Sequence, residues 1–163
     1  MVWKIDNAVV VPFDFSEHSR AALKRALSIV ESARLVHVLH VLPYLVPTEP
    51  GVVWATIDDA HRIEHALENL RDALAAPEHA QMHVEVRIGD PGQVTVDRAE
   101  EIGAELIVIG SHGRTGISRL FLGSVAERVV RLAHCPVLVE KLAPVAKKAK
   151  TTLESPQLVA ALT

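Results

Sequence analysis

The chain has 163 residues, of which 49% are hydrophobic and 23% charged, and its formal net charge is −3. A chain of this size can bury one substantial core, so we expect one soluble domain. No apolar run reaches the roughly 18 to 20 residues of a membrane-spanning helix, and the first residues lack the order of a secretory signal, which predicts a cytoplasmic protein. The single Cys135 excludes an internal disulfide framework and a multi-cysteine zinc site.

Short β-branched runs alternate along the chain with segments of helical spacing. In chain order the runs are NAVVVPF, RLVHVLHVL, MHVEVRI, ELIVIG and PVLVEK. Apolar residues between them recur three and four positions apart, at Leu23, Leu27 and Val30, at Ala60, Ile63, Leu67, Leu70 and Leu74, and at Val125, Val129 and Leu132. Ser16 before Glu17 and Asp90 before Pro91 are typical helix starts. The pattern predicts an α/β fold: an open five-stranded parallel sheet with helices on both faces.

Two segments differ from this alternation. Residues 43–56, PYLVPTEPGVVWAT, contain three prolines and are too long for a simple strand-to-helix turn, which makes them a candidate lid or partner surface. The tail, residues 142–163, is predicted to be mostly disordered, after a single domain at residues 1–141. Residues 141–163 hold four lysines and one glutamate, a net charge of +3. Such a cluster is more typical of a solubilising tail than of a contact with nucleic acid or membrane, and neither partner is expected.

The stretch GSHGRTGISRLFLGS, residues 110–124, follows the apolar run ELIVI with four glycines and three serines. In an open parallel sheet, ligands bind beyond the carboxyl ends of the strands. Glycines allow backbone N–H groups to approach an anion, and a helix that begins near Ser124 would direct its positive end there. Ser111, Ser118, Arg114 and Arg119 could add donors and charge. The alternative is a glycine-rich connection that only turns the chain. The stretch is neither a P-loop nor a G-x-G-x-x-G turn.

The glycine spacing, Gly110, two residues, Gly113, nine residues, Gly123-Ser124, resembles the ATP-binding signature of the universal stress protein family. The resemblance covers nearly all of residues 5–141. It includes VVVPFDFSEHSRAALKRAL, LHVL, GDPGQVTVDRAEEIGAELIVIGSHGRTG and GSVAERVVRLAHCPVLVEK. The resemblance implies a Rossmann-like fold of the adenine-nucleotide α hydrolase-like type. It also places the chain in the branch that binds ATP, since a second branch lacks the glycines and does not.

The resemblance assigns contacts position by position. Asp14 matches the acidic residue that contacts the nucleoside, and Val41 matches the backbone contact to adenine. The other matches are ribose and phosphate contacts at Gly110, His112, Gly113, Gly123, Ser124 and Val125, and pocket-lining residues at Pro12 and Ile109. The alternative for Asp14 is a helix-capping carboxylate, and for His112 a solvent-exposed loop residue. Glu105 departs from the family, where Asp is common, without affecting the site.

Other histidines and the cysteine carry weaker signals. His61 and His65 are one helical turn apart, but the sequence places no third ligand, so no metal site is expected. His37 and His40 point to opposite faces of a strand and are interpreted as packed or capped. Cys135 before the last strand is interpreted as a core residue.

The function expected from the resemblance is that of an ATP-binding regulatory protein of the stress response, not an enzyme. Ser124 could help to hold a Mg²⁺ that the nucleotide carries. A homodimer through the last strand, PVLVEK, and an unidentified regulatory protein partner are also implied. The alternatives are a slow ATPase and a nucleotide-free interaction module. An adenylyltransferase is disfavoured because the chain has no HxGH-type motif.

Overall fold

The computed structural model describes residues 5–45, 58–113 and 122–142. Its strands are β1 (Val9–Pro12), β2 (Val36–Leu42), β3 (His83–Ile88), β4 (Leu106–Gly110) and β5 (Val137–Glu140). Its helices are α1 (Glu17–Ile29), α2 (Asp59–Ala73), α3 (Pro91–Glu101) and α4 (Ser124–Leu132), with 3₁₀ turns at Ala33–Leu35 and Pro77–His79. Residues 46–56 of the candidate lid and residues 143–163 of the predicted disordered tail lie outside the described residues.

All five strands form one parallel sheet in the order β3-β2-β1-β4-β5. Val9 at the start of β1 pairs with Val36 of β2 on one side and with Leu106 of β4 on the other. The chain therefore winds outward from β1 in both directions, and the strand order reverses between β1 and β4. A crevice opens at the carboxyl ends of strands at such a reversal. The predicted α/β fold is confirmed.

Two apolar layers cover the central strands because successive side chains of a strand point to opposite faces. Val9 and Val11 pack in a cluster with residues of α1 and α2, whereas Val10 packs with residues of α3 and α4. All three valines are 0% exposed. Burial on both faces explains why the central strands are continuous apolar runs rather than alternating ones.

The helix starts follow the capping residues in the sequence. The Ser16 hydroxyl accepts a hydrogen bond from the Ser19 N–H at 3.1 Å, and the Asp90 carboxylate accepts one from the Gln93 N–H at 2.9 Å. Both caps were predicted and are confirmed. The apolar stripe predicted for α2 faces the core at its C-terminal end, where Leu70 is buried. Its first residue, Ala60, is exposed in the first turn of the helix. None of the helices in the described part of the chain is both long and apolar enough to cross a membrane.

Candidate functional site

A cleft of about 480 Å³ opens at the carboxyl ends of β1 and β4, where the strand order reverses. The structure brings all ten predicted site residues to its walls: Pro12, Asp14, Val41, Ile109, Gly110, His112, Gly113, Gly123, Ser124 and Val125. They come from four separate stretches of the sequence. Their convergence follows from the topology, because the carboxyl ends of neighbouring parallel strands meet at one edge of the sheet.

The turn from β1 to α1 fixes the position of Asp14. One carboxylate oxygen of Asp14 accepts hydrogen bonds from the Ser16 N–H at 3.1 Å and from the Ser16 hydroxyl at 2.6 Å. Phe15 between them has a φ of 67°, a left-handed conformation that is unusual for a bulky residue. Its ring packs edge-on against Phe13 and His40, at centroid distances of 5.4 and 5.0 Å. Ser16, rather than Asp14, caps α1, and Asp14 buttresses this cap from a wall of the cleft.

Gly110 ends β4 directly against the first turn of α1. A Cβ atom at this position would lie 2.8 Å from the backbone carbon, the carbonyl oxygen and the Cβ atom of His18. Backbone atoms cannot turn away from such an overlap as a flexible side chain can. Gly110 is therefore required for the packing of α1 on β4, whatever the cleft binds.

The other two signature glycines, Gly113 and Gly123, also line the cleft. A Cβ atom at Gly113 would meet the second carboxylate oxygen of Asp14 at 2.9 Å. Gly123 is the N-cap of α4, and no side chain accepts a hydrogen bond from the first turn of this helix. The N–H of Gly123 itself donates to the Ser111 carbonyl at 2.8 Å. The first helical hydrogen bond of α4 comes from the Glu127 N–H, so the N–H groups of residues 124–126 have no partner within the helix. All three residues line the cleft, which therefore receives the positive end of α4.

Ser111 joins several of these parts. Its backbone N–H donates to the Glu140 carbonyl of β5 at 2.8 Å, and its carbonyl accepts from Gly123. Its hydroxyl oxygen lies 3.3 Å from Nδ1 of His18 and 3.1 Å from Nδ1 of His112. Ser111 is only 3% exposed. It is a buried junction between β5, α1 and the α4 end of the cleft.

The comparison with known proteins agrees with this geometry. The sequence profile of the universal stress protein family matches residues 7–141. The chain belongs to the universal stress protein family. A universal stress protein of Methanocaldococcus jannaschii is 37% identical over 140 residues, which span 82% of this chain and 81% of that protein.

Solved structures of universal stress proteins share the fold. One from Lactobacillus plantarum aligns with a TM-score of 0.62 at 26% identity, and covers 82% of this chain and 96% of its own. Another, solved in complex with cAMP, aligns with a TM-score of 0.54 at 27% identity, and covers 85% of this chain and 98% of its own.

The cleft of this universal stress protein also has walls that the sequence did not single out as site residues: Phe13, Ser19, Leu39, His40, Pro43, Pro91, Thr95, Leu122 and Ala126. Nδ1 of His40 lies 2.7 Å from the Phe13 carbonyl oxygen, and His40 is 8% exposed. Because a carbonyl only accepts, His40 donates from Nδ1, which confirms its interpretation as a capped histidine. Thr95 enters from α3, and its only sequence signal was its place one turn after the Asp90-Pro91 helix start.

The remaining candidate residues lie elsewhere. His61 and His65 are on the exposed side of α2, and the described residues contain no group of three or more potential ligands close enough to hold a metal ion. The His37 ring stacks on His83 at a centroid distance of 4.3 Å. Cys135 is partly buried and packs against the α3 and α4 layer, and burial raises the pKa of its thiol. Arg114, Ser118 and Arg119 lie outside the described residues.

Proposed function

We propose that this universal stress protein binds ATP in the cleft between β1 and β4 and acts as a nucleotide-dependent regulatory protein of the stress response. The observation that carries the proposal is the N-terminus of α4, which has no side-chain cap and opens into a cleft at the reversal of strand order. Helix N-termini in this position bind phosphate through unpaired N–H groups and the helix dipole. The cAMP complex of a family member supports an adenine nucleotide as the ligand.

The walls of the cleft suit the three parts of such a ligand. Apolar residues, among them Pro12, Val41 and Ile109, offer a surface on which an adenine ring can pack. Asp14 offers carboxylate oxygens that can accept hydrogen bonds from ribose hydroxyls. The glycine N-cap and Ser124 offer N–H and hydroxyl donors for phosphate oxygens, and Ser124 could also contribute to a Mg²⁺ that arrives with the nucleotide.

Affinity measurements test the proposal directly. We expect the purified protein to release ATP on denaturation, detected by mass spectrometry, and the nucleotide-free protein to bind ATP in titration calorimetry. The substitution Asp14→Asn should weaken ATP by about tenfold, since a hydrogen bond to a charged group contributes roughly 1.5–3 kcal/mol. Asp97→Asn, on the exposed side of α3, is the matched control and should bind as the parent does. A parent that binds no adenine nucleotide at millimolar concentration would leave the nucleotide-free interaction module as the better function.

We further propose that bound ATP is not turned over at an enzyme's rate. Hydrolysis requires a positioned base, and a cation on the developing charge. Among the described residues of the cleft wall, Asp14 is the only carboxylate, and none is a lysine or arginine. One oxygen of Asp14 already accepts from Ser16, and the cleft wall contains two histidines, His40 and His112. His40 donates from Nδ1 to the Phe13 carbonyl, whereas His112 adjoins the N-cap of α4, which makes His112 the first candidate base to test.

Phosphate release under saturating Mg-ATP separates a switch from an enzyme. We expect turnover far below the roughly 1–100 s⁻¹ of kinases. Sustained turnover near this range that His112→Ala abolishes would make the protein an ATPase.

The assembly that we propose is a homodimer through β5. This strand lies at one edge of the sheet and pairs on its inner side with β4. Within the described residues, no strand pairs with its outer side, and such an edge can pair with a second copy about a two-fold axis. Leu138 of β5 packs toward the α1 and α2 layer, and Val137 and Val139 pack toward the α3 and α4 layer.

A further inference from the structure

Three polar side chains beside the cleft form a chain of hydrogen bonds that the ATP-binding signature does not include. His18 lies in the first turn of α1, Ser111 follows β4, and His112 lines the cleft. The Ser111 hydroxyl oxygen lies within 3.3 Å of Nδ1 of His18 and 3.1 Å of Nδ1 of His112. The two imidazole rings are tilted against each other, with centroids 5.2 Å apart.

This arrangement limits the proton positions on both rings. A serine hydroxyl carries one hydrogen, so it can donate to only one of the two Nδ1 atoms. The other Nδ1 must then carry a hydrogen and donate it to the serine oxygen. Because the serine oxygen has two lone pairs, both rings can also donate to it, but they cannot both lack a hydrogen at Nδ1. When both rings are neutral, at least one of His18 and His112 therefore carries its proton on Nδ1. When Nδ1 of His18 carries no hydrogen, Nδ1 of His112 must carry one, although His18 is not among the described residues that line the cleft.

The positions of the three residues are also fixed by their backbones. His18 packs so closely on Gly110 that a single added carbon would overlap it. Ser111 is held by hydrogen bonds to β5 and to the N-cap of α4. The Cα atom of His112 would lie 3.2 Å from a Cβ atom at Gly123, so it adjoins the end of α4 that faces the cleft. The hydrogen-bonded chain thus connects α1 to the part of the cleft where the anionic end of a ligand would lie.

We propose that His18 and Ser111 are positioning residues that orient His112 and set its tautomer toward the phosphate groups of the nucleotide. This inference rests on the proposed function, because it takes ATP as the ligand of the cleft. It differs from that function in assigning a role to residues that do not themselves contact the nucleotide.

A pair of variants at His18 tests the role of the hydrogen bond. His18→Asn retains a polar group near the position of Nδ1, whereas His18→Leu removes it at similar size. With Mg-ATP and adenosine as probes in titration calorimetry, we expect His18→Leu to weaken ATP by about tenfold, which corresponds to about 1.4 kcal/mol, the scale of one hydrogen bond. Adenosine, which has no phosphate, should bind both variants as tightly as the parent. His18→Asn should retain most of the ATP affinity.

The same role has a signature that requires no ligand. Nitrogen-15 NMR of the imidazole rings reports which nitrogen carries the proton. At pH 8.5, at least one of His18 and His112 of the parent should carry its proton on Nδ1. Ser111→Ala should release this constraint and change the tautomer ratio of His112.

The outcomes separate the two proposals. A parent that fails to bind ATP rejects the proposed function, while the NMR measurement still decides whether the two rings are coupled. A parent in which both rings carry their proton on Nε2 overturns the coupling. An ATP affinity of His18→Leu equal to the parent's, or equal losses for ATP and adenosine, overturn the positioning role.

Discussion

Gly110 and Gly113 belong to the same sequence signature, but the structure gives them different tasks. In Gly110→Ala, the added methyl group would lie 2.8 Å from three atoms of His18, two of them backbone, whereas nine in ten real Cβ contacts are at 3.4 Å or more. Helix α1 must therefore move away from β4 by several tenths of an ångström. Overpacking of this kind costs about 1–3 kcal/mol, which lowers the melting temperature of a domain of this size by roughly 3–10 °C.

Gly113→Ala is the matched control for the same change. Its methyl group would meet only the second carboxylate oxygen of Asp14, at 2.9 Å, and the end of this half-buried side chain can shift further than backbone atoms can. We expect a stability loss of about 0.5 kcal/mol or less, together with weaker ATP binding because Asp14 is displaced. Urea unfolding and calorimetry of both variants measure the two effects. Equal stability losses for the two variants, or a Gly110→Ala protein as stable as the parent, would refute this division of roles.

Three further predictions concern stability and assembly. Burial, and then the neighbouring His83 and Arg98, lower the pKa of His37 in the folded protein. As the pH falls, this imidazole therefore takes up a proton in the unfolded chain before it does in the folded one. The free energy of unfolding should then decrease as the pH drops below about 6.5. His37→Phe keeps a ring on His83 and should flatten this slope in urea titrations at pH 7.5 and 5.5; an unchanged slope would assign it to other groups. Glu105→Ala removes the carboxylate that accepts two backbone N–H bonds, each 3.1 Å long, just before β1, and should cost about 0.5–1.5 kcal/mol, whereas Glu105→Gln should cost less. The carbonyls of Pro136, just before β5, and of Glu140 accept hydrogen bonds on the inner side of this strand, so the backbone N–H of Val139 faces the outer edge. Val139→Pro removes this outward donor and should give a monomer in light scattering; a parent that is already monomeric at micromolar concentration would reject the dimer.

The sequence was sufficient for the layered fold because each element carries its own local signal. Continuous apolar runs mark strands buried on both faces, and Ser16 and Asp90 mark helix starts that the structure confirms. The ten site residues were assigned by the resemblance to the universal stress protein family, and the topology explains why they meet. A parallel sheet places the carboxyl ends of its strands at one edge, and the glycine signature follows one of those strands.

Contacts between residues that lie far apart in the chain could not be predicted from the sequence. Nothing in the spacing of His18 and Ser111, 93 positions apart, indicates that their side chains meet. The glycine pattern also gives no means to distinguish Gly110, which packs against a helix, from Gly113, which faces a carboxylate. The left-handed backbone of Phe15 carries no signal either, since its cost is offset by ring packing that only the folded chain provides.

The hydrogen bonds of the Ser111 backbone connect the edge strand β5 directly to the helix end at the cleft. Its N–H is bound by β5, the strand that would pair with a second copy, and its carbonyl holds the N-cap of α4 at the cleft. A shift of β5 by a fraction of an ångström would therefore also move the N-cap of α4 at the cleft. By thermodynamic linkage, a ligand that strengthens pairing at this edge must itself be bound more tightly, by the same factor, when the edge is paired. The affinity for nucleotide would then depend on protein concentration, because it would be higher when β5 is paired with a second copy.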